Sequence, residues 1–214
     1  MKREKDFFEC FMGVEDDYLP SFCNKAFYKD GYVVATDRII LVRAPYNSLE
    51  GIYDKEDTPK KLPIFPAPNC NLHLPLSVLV DTIKSIPAEE MVSVEGAAAE
   101  CDECEGTGFV EWTYEDCEGK EHLENFDCPI CNGCGRVKTK KYHREWRCIS
   151  INGSIFSVRT LMKLAKAMDI AGFDSVNVRN LPQGPTPALM SLDGGIDVII
   201  MPCPGAKPIR DIKL

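Results

Sequence analysis

"SVRTLMKLAKAMDIAGFDSVNVRN", residues 157–180, decides how this 214-residue chain folds. Val158, Leu161, Met162, Leu164, Ala165 and Met168 recur at three- and four-residue spacing, which places them on one apolar stripe of a helix. Ser157 stands where an N-cap belongs. "DSVNVRN" (174–180) then reads as a strand, and "LPQGPTP" (181–187) as a turn-rich connection. "ALMSLDGGIDVIIMP" (188–202) reads as a hairpin that turns at Asp193-Gly194-Gly195. A helix followed by antiparallel strands is the expected unit.

Toward the N-terminus the same order returns. "REKDFFECFMG" (3–13) sets Phe7, Phe8, Phe11 and Met12 at helical offsets and ends at a glycine. In "FCNKAFYKDGYVVATDRIILVRAPY" (22–46), β-branched runs flank a turn at Lys29-Asp30-Gly31. The proline-rich stretch 45–70 reads as a long surface loop. "LPLSVLVDTIKSI" (74–86) predicts a second helix. Leu76, Leu79, Val80 and Ile83 share a face, Pro75 suits the first turn, and Pro87 stops the run. "MVSVEGAAAE" (91–100) and "RVKTKKYHREWRCISING" (136–153) read as strands that would form a hairpin but for the cysteine-rich block inserted between them. Helix followed by strands thus occurs about three times. The expected fold is α+β: repeats of helix plus antiparallel strands over 1–99 and 136–214, with a zinc-bound β-hairpin inserted at 100–135.

A hydrophobic fraction of 44% supplies an ordinary core. The net charge of −8 argues against broad, non-specific attachment to phosphate backbones, although a local basic patch is compatible with it. "MKREKDFFECFMG" (1–13) starts charged and lacks a sustained apolar run, and no stretch approaches the roughly 18 apolar residues of a membrane span, so a soluble cytoplasmic protein is expected.

Of eleven cysteines, four form two Cys-x-x-Cys knuckles: Cys101 with Cys104, and Cys128 with Cys131. Each knuckle continues into glycines at the same offsets, Gly106 and Gly108, then Gly133 and Gly135. Two such turns provide the four thiolates of a tetrahedral site, and the glycines let backbone amides turn toward the sulfurs. One Zn2+ per chain, held by Cys101, Cys104, Cys128 and Cys131, is the expectation. Cys117 and Cys134 lie in the same block as competing candidates; Cys10, Cys23, Cys70, Cys148 and Cys203 sit among apolar neighbours as small buried side chains. Thioredoxin-type redox chemistry is the weaker alternative. A zinc deaminase needs His-x-Glu ahead of Pro-Cys-x-x-Cys, whereas His143-Arg144-Glu145 follows both pairs, and four thiolates leave no position for water. His73, His122 and His143 are isolated, and no nucleophile–base pair or phosphate loop stands out, so no enzyme is expected.

Charge is uneven around the hairpin. "EWTYEDCEGKEHLENFD" (111–127) is acidic, whereas the exit strand carries Arg136, Lys138, Lys140, Lys141, Arg144 and Arg147 with Tyr142 and Trp146 interleaved. Basic plus aromatic suggests nucleic-acid contact, with Lys138, Lys140, Lys141 and Arg144 as candidates. The alternative, which carries more weight, is that the basic strand pairs with the acidic arm and neutralises it. Arg159, Lys163 and Lys166 on the third helix are further candidates for DNA contact, against the commoner reading of a solvated helix face.

The doubled Cys-x-x-Cys-x-Gly-x-Gly resembles the cysteine-rich region of DnaJ-type co-chaperones and the small zinc domain of the anti-TRAP protein. The resemblance covers residues 101–135 and implies zinc; DnaJ's His-Pro-Asp motif is absent, so a co-chaperone role does not carry over. "YVVATDRIILVRAPY" (32–46) is similar to the strand pair of bacterial DNA sliding clamps, the DNA polymerase III β subunit, where an Ala-Thr-Asp turn joins strands. "SIFSVRTLMKLAKAMDIAGFDSVNVRN" (154–180) with "TPALMSLDGGIDVIIMP" (186–202) looks like a clamp's closing repeat, down to Met201-Pro202. Such a clamp is a non-enzymatic ring on DNA, and a ring of this chain would need several copies or a different closure. The resemblances imply a clamp-like binding protein in DNA replication or a related transaction, with DNA or a replication protein as partner. The alternative is a zinc-dependent protein-binding adaptor with no nucleic-acid role.

Overall fold

A computed structural model describes residues 3–13, 19–55, 58–87, 91–144 and 147–214, the side chains of 91–97 and 139–144 excepted. In chain order the elements are α1 (Glu4–Glu9), β1 (Phe27–Lys29), β2 (Tyr32–Thr36), β3 (Ile40–Pro45), β4 (Leu72–Pro75), α2 (Leu76–Lys84), β5 (Met91–Glu100), β6 (Phe109–Glu115), β7 (Glu121–Asp127), β8 (Arg136–Arg144), β9 (Cys148–Ile151), β10 (Ser154–Ser157), α3 (Val158–Ala171), β11 (Ser175–Asn180), β12 (Ala188–Leu192), β13 (Ile196–Ile200) and β14 (Arg210–Ile212). The fold is α+β, with few helices and mostly antiparallel sheets. It divides into two units: Met1–Ala88 with Trp146–Leu214, and Glu89–Glu145.

The first unit is built on a seven-stranded sheet in the order β1-β2-β3-β13-β12-β11-β4. Two three-stranded meanders, β1-β2-β3 and β11-β12-β13, are joined by an antiparallel ladder that runs from Ile40↔Ile200 to Arg43↔Asp197. One helix precedes each meander, α1 the first and α3 the second. The expected helix-then-three-strands order is therefore met twice. It is not met a third time, because α2 is followed by β5, which belongs to the other unit.

Alternation along the central strands explains why both faces of this sheet are covered. Ile40, Val42 and Ala44 of β3, with Val198 and Ile200 of β13, join the main core, together with Phe7, Phe8 and Phe11 and with Leu79, Leu161 and Leu164 from the helices. Leu41 and Ile199 point the other way and pack with Phe27, Val34 and Leu189. That two-sided burial is why "IILV" and "DVIIM" are nearly continuous apolar runs. Each fully buried Leu or Phe contributes about 1.5–3 kcal/mol relative to exposure.

The helix that opened the reading forms with its stripe buried; Val158, Leu161, Leu164, Ala165 and Met168 all lie inside. Two details differ from expectation. Met162 lies at the rim of the stripe and is 52% exposed. Ser157 occupies the N-cap position without a capping hydrogen bond from its side chain. Lys163 is anchored: its Nζ donates to Asp37 Oδ2 at 2.6 Å and to the Met12 carbonyl at 3.2 Å. The same Asp37 accepts the Ile39 and Ile40 amides at 2.9 Å each, so one carboxylate both shapes the β2–β3 turn and ties it to α3.

In the second unit, β5 pairs with β8 and β6 pairs with β7. The expected insert boundaries, 100 and 135, fall at the cysteine end of the β5–β8 ladder, whose last pair is Glu100↔Arg136. The idea that the basic exit strand pairs with the acidic arm is corrected here. β8 runs beside "MVSVEGAAAE", while the two acidic strands pair with each other. Backbone register decided this: β5 and β8 enter and leave the knuckles side by side, and β6 and β7 do the same on the other side.

Candidate metal centre

Cys101 and Cys104 lie in the turn between β5 and β6, and Cys128 and Cys131 in the turn between β7 and β8. All four are buried, and their sulfurs lie within 4.8 Å of one another. Cys101 Sγ is 3.8 Å from Cys128 Sγ, and Cys104 Sγ is 3.7 Å from Cys131 Sγ. Four thiolates around a zinc at ordinary Zn–S length are about 3.8 Å apart, so the donor set and its spacing fit a tetrahedral cation.

The two knuckles repeat each other bond for bond. The Gly108 amide donates to Cys104 Sγ and the Gly135 amide to Cys131 Sγ, both at 3.2 Å. The Cys101 amide donates to the Gly135 carbonyl at 3.0 Å, and the Cys128 amide to the Gly108 carbonyl at 2.8 Å, which locks each turn onto the other. Glycine is required at 108 and 135. Both have left-handed φ, +85° and +70°, and a Cβ there would run into the carbonyl oxygens of Gly133 and Gly106 respectively. The repeat seen in the sequence is therefore an approximate two-fold, with each half closing the other.

Burial pushes the Cys101 thiol up, and it pushes Cys131 to about 12, the neighbouring thiols adding to it against the Gly135 amide. Burial also opposes ionisation of Cys104, but the Gly108 amide and the adjacent thiols outweigh it and bring Cys104 down to about 7. Four thiols this close cannot all ionise without a cation, so a metal ion would have to displace protons as it binds. With four thiolates and no open position, such a site crosslinks backbone rather than activating water. Among the described residues, Val110 and Val137 are the apolar side chains that pack against the cysteines.

Cys117 and Cys134 stand outside the cluster, both exposed. The Cys134 thiol donates to the carbonyls of Cys131, at 2.8 Å, and Arg136, at 3.0 Å. Among the nucleic-acid candidates, Lys138 is exposed on β8, and Lys140 and Lys141 are paired in the ladder with Glu95 and Val94. The side chains of Lys140, Lys141 and Arg144 lie outside the described residues, as do those of Tyr142, His143, Glu145 and Trp146. Arg159 and Lys166 are exposed on α3, whereas Lys163 is held by Asp37. The structure brings the four cysteines together.

Two features escaped the sequence reading. Asp116 organises the β6–β7 turn, its Oδ1 accepting from the amides of Glu118 and Lys120 at 2.9 and 3.0 Å and its Oδ2 lying 2.7 Å from His122 Nε2. The His122 hydrogen bond, followed by the two amides, holds the Asp116 carboxyl below its ordinary range. In the first unit, Phe22, Phe27, Arg38, Ile39, Leu62 and Met201 line much of an apolar cleft of about 230 Å³. Asp followed by glycine two to four residues on signals the turn; nothing local signals a cleft assembled from five separated segments.

No protein-family model matches the chain, and no curated protein matches it. Among solved structures it is similar to DNA polymerase III β subunits. For the protein from Thermotoga maritima the identity is 14% and the TM-score 0.45, over 95% of this chain and 62% of that one. For the protein from Pseudomonas aeruginosa the values are 12% and 0.44, over 91% and 61%. For the β sliding clamp of C. crescentus they are 14% and 0.41, over 92% and 63%. The chain thus spans a little under two thirds of the length of these structures.

Proposed function

We propose that this chain is a non-enzymatic binding protein of the sliding-clamp kind, acting in DNA replication or a related DNA transaction, and that Cys101, Cys104, Cys128 and Cys131 hold one zinc ion. The observation that carries the clamp reading is the pair of helix-plus-three-strand halves fused through the β3–β13 ladder. The segments that resemble the clamp family, 32–46 and 154–202, are the ones that build those halves. Arg159 and Lys166 on the exposed side of α3, with the lysines of β8, are the proposed DNA contacts, and several copies would be needed to encircle a duplex. Zinc would supply a crosslink and no chemistry. The four thiolates would hold it, and the Gly108 and Gly135 amides would steady two of them. The cytoplasm is the proposed compartment; among the described residues no helix is long and apolar enough to cross a membrane.

Retention on DNA tests the reading. The chain is expected to stay on closed circular duplex at low salt, to be released when the circle is cut, and to lose retention when Lys140→Ala and Lys141→Ala are combined. Equal behaviour on linear and circular DNA would exclude encirclement. One specific observation favours the second reading, a zinc-dependent protein-binding adaptor: the acidic arm β6–β7 exposes Trp112, Tyr114 and Phe126. Zinc near one per chain without any DNA retention would select it.

A further inference from the structure

Residues 109–127 carry seven carboxylates and one lysine. Their register sorts the β6–β7 side chains onto two faces, because residues opposite each other in an antiparallel ladder share a face. One face carries Val110 opposite Phe126, Trp112 opposite Glu124, and Tyr114 opposite His122. Its rings contact one another, Trp112 with Phe126 at 5.6 Å between centroids and Tyr114 stacked on His122 at 5.0 Å. Those contacts leave Trp112 58% and Tyr114 51% exposed. On the other face Phe109 stands opposite Asp127, Glu111 opposite Asn125, Thr113 opposite Leu123 and Glu115 opposite Glu121, so four carboxylates share it with the exposed Phe109 and Leu123.

The arm's own stability does not account for this composition. Like charges directly opposite, as at Glu115 and Glu121, destabilise a ladder. Large exposed aromatics contribute little to folding, and a lone two-stranded ribbon is marginal in water. The basic strand that could have neutralised the arm is paired with β5 instead. Among the described residues no third strand joins β6 or β7, so both outer edges present open rows of N–H and C=O groups.

We propose that the arm docks an extended segment of a partner protein in which apolar and basic residues alternate, added as a third strand to an edge of the β6–β7 ribbon. An added strand sends successive side chains to opposite faces. Alternate apolar residues then lie along Trp112, Tyr114 and Phe126, while the intervening lysines or arginines meet Glu111, Glu115, Glu121 and Asp127. A nucleic acid is the wrong occupant, because its phosphates would face the carboxylates. A second copy of the arm is also disfavoured, since it would set acidic face beside acidic face. The inference concerns the arm alone and stands apart from the clamp reading.

The test uses the full-length, metal-loaded chain and three short fluorescent peptides: valine alternating with lysine, valine alternating with glutamate, and the valine–lysine composition in blocks. The alternating valine–lysine peptide should bind, less tightly as salt rises, and at least about tenfold more tightly than either control. Trp112→Ala should weaken it about tenfold, Trp112→Phe should restore most of the affinity, and Glu111→Lys with Glu115→Lys should abolish it, each variant keeping its metal content. Equal binding of the blocked or the acidic peptide would overturn the proposal, as would arm variants that bind like the parent chain. Competition by a single-stranded oligonucleotide that depends on Trp112 would overturn it in favour of nucleic acid. Self-association abolished by Trp112→Ala would overturn it in favour of a second copy.

Discussion

Gly108 and Gly135 each hold a left-handed turn, offer an amide to a ligand sulfur, and touch the opposite knuckle's backbone. Gly108→Ala or Gly135→Ala should weaken metal binding about 10–100-fold, because the added Cβ meets the opposite carbonyl and moves the amide off its sulfur. Competition with a chromophoric chelator measures this. Gly184→Ala, where an added methyl meets nothing, should leave it unchanged. A second residue-scale prediction concerns pH. Burial raises the Glu4 carboxyl, but the hydrogen bonds it accepts from the Tyr53 hydroxyl and the Glu50 and Gly51 amides outweigh that and hold it below its ordinary value. A lowered carboxyl contributes stability that is present above its unfolded value and lost as pH falls through the folded one. Glu4→Gln should therefore cost about 1 kcal/mol at neutral pH, after allowing for partial solvation, and the gap should close in acid. Urea unfolding at the two pH values reads the difference.

At the scale of elements, α3 and the arm depend on different forces. Leu161 is fully buried in the main core, so Leu161→Ala should cost about 2–5 kcal/mol in the unit that holds it, followed by tryptophan-independent circular dichroism. Among the described residues, Val110 and Val137 are the apolar side chains beside the four cysteines, so with the proposed zinc in place Cys101→Ser should abolish its binding and unfold the arm while the seven-stranded sheet persists. If the whole chain melts with Cys101→Ser, the two units are not independent. Helices were legible because a 3.6-residue stripe is local: α2 and α3 form where Leu76, Leu79, Val80 and Ile83, and Val158, Leu161, Leu164 and Met168, announce them. The partner of β8 was legible from chain order, since the strands flanking the cysteine block form a hairpin once the block is set aside, as β5 and β8 do; the charge reading was the one that misled. Charge complementarity pointed to the acidic arm, but strand partners follow chain entry and exit at the metal turns, and charges then adapt, as at Glu100↔Arg136.

For the molecule as a whole, the gathering of Cys101, Cys104, Cys128 and Cys131 was readable from the sequence, since Cys-x-x-Cys turns with matched glycines have few other uses. The joining of two meanders through β3 and β13 was not, because residues 154 positions apart, such as Arg43 and Asp197, leave no mark on each other's neighbours. Nor was the reach of the cysteine unit out to Glu89 and Glu145, which depends on β5 pairing with β8. We propose that a metal crosslink at the four cysteines orders β5 to β8, while the seven-stranded sheet is stable without it. Amide hydrogen exchange before and after chelation tests it most directly. The account predicts that protection collapses across β5 to β8 and stays unchanged in α3, β3, β12 and β13. Protection that survives chelation in β6 and β7, or that vanishes equally in α3, would contradict it.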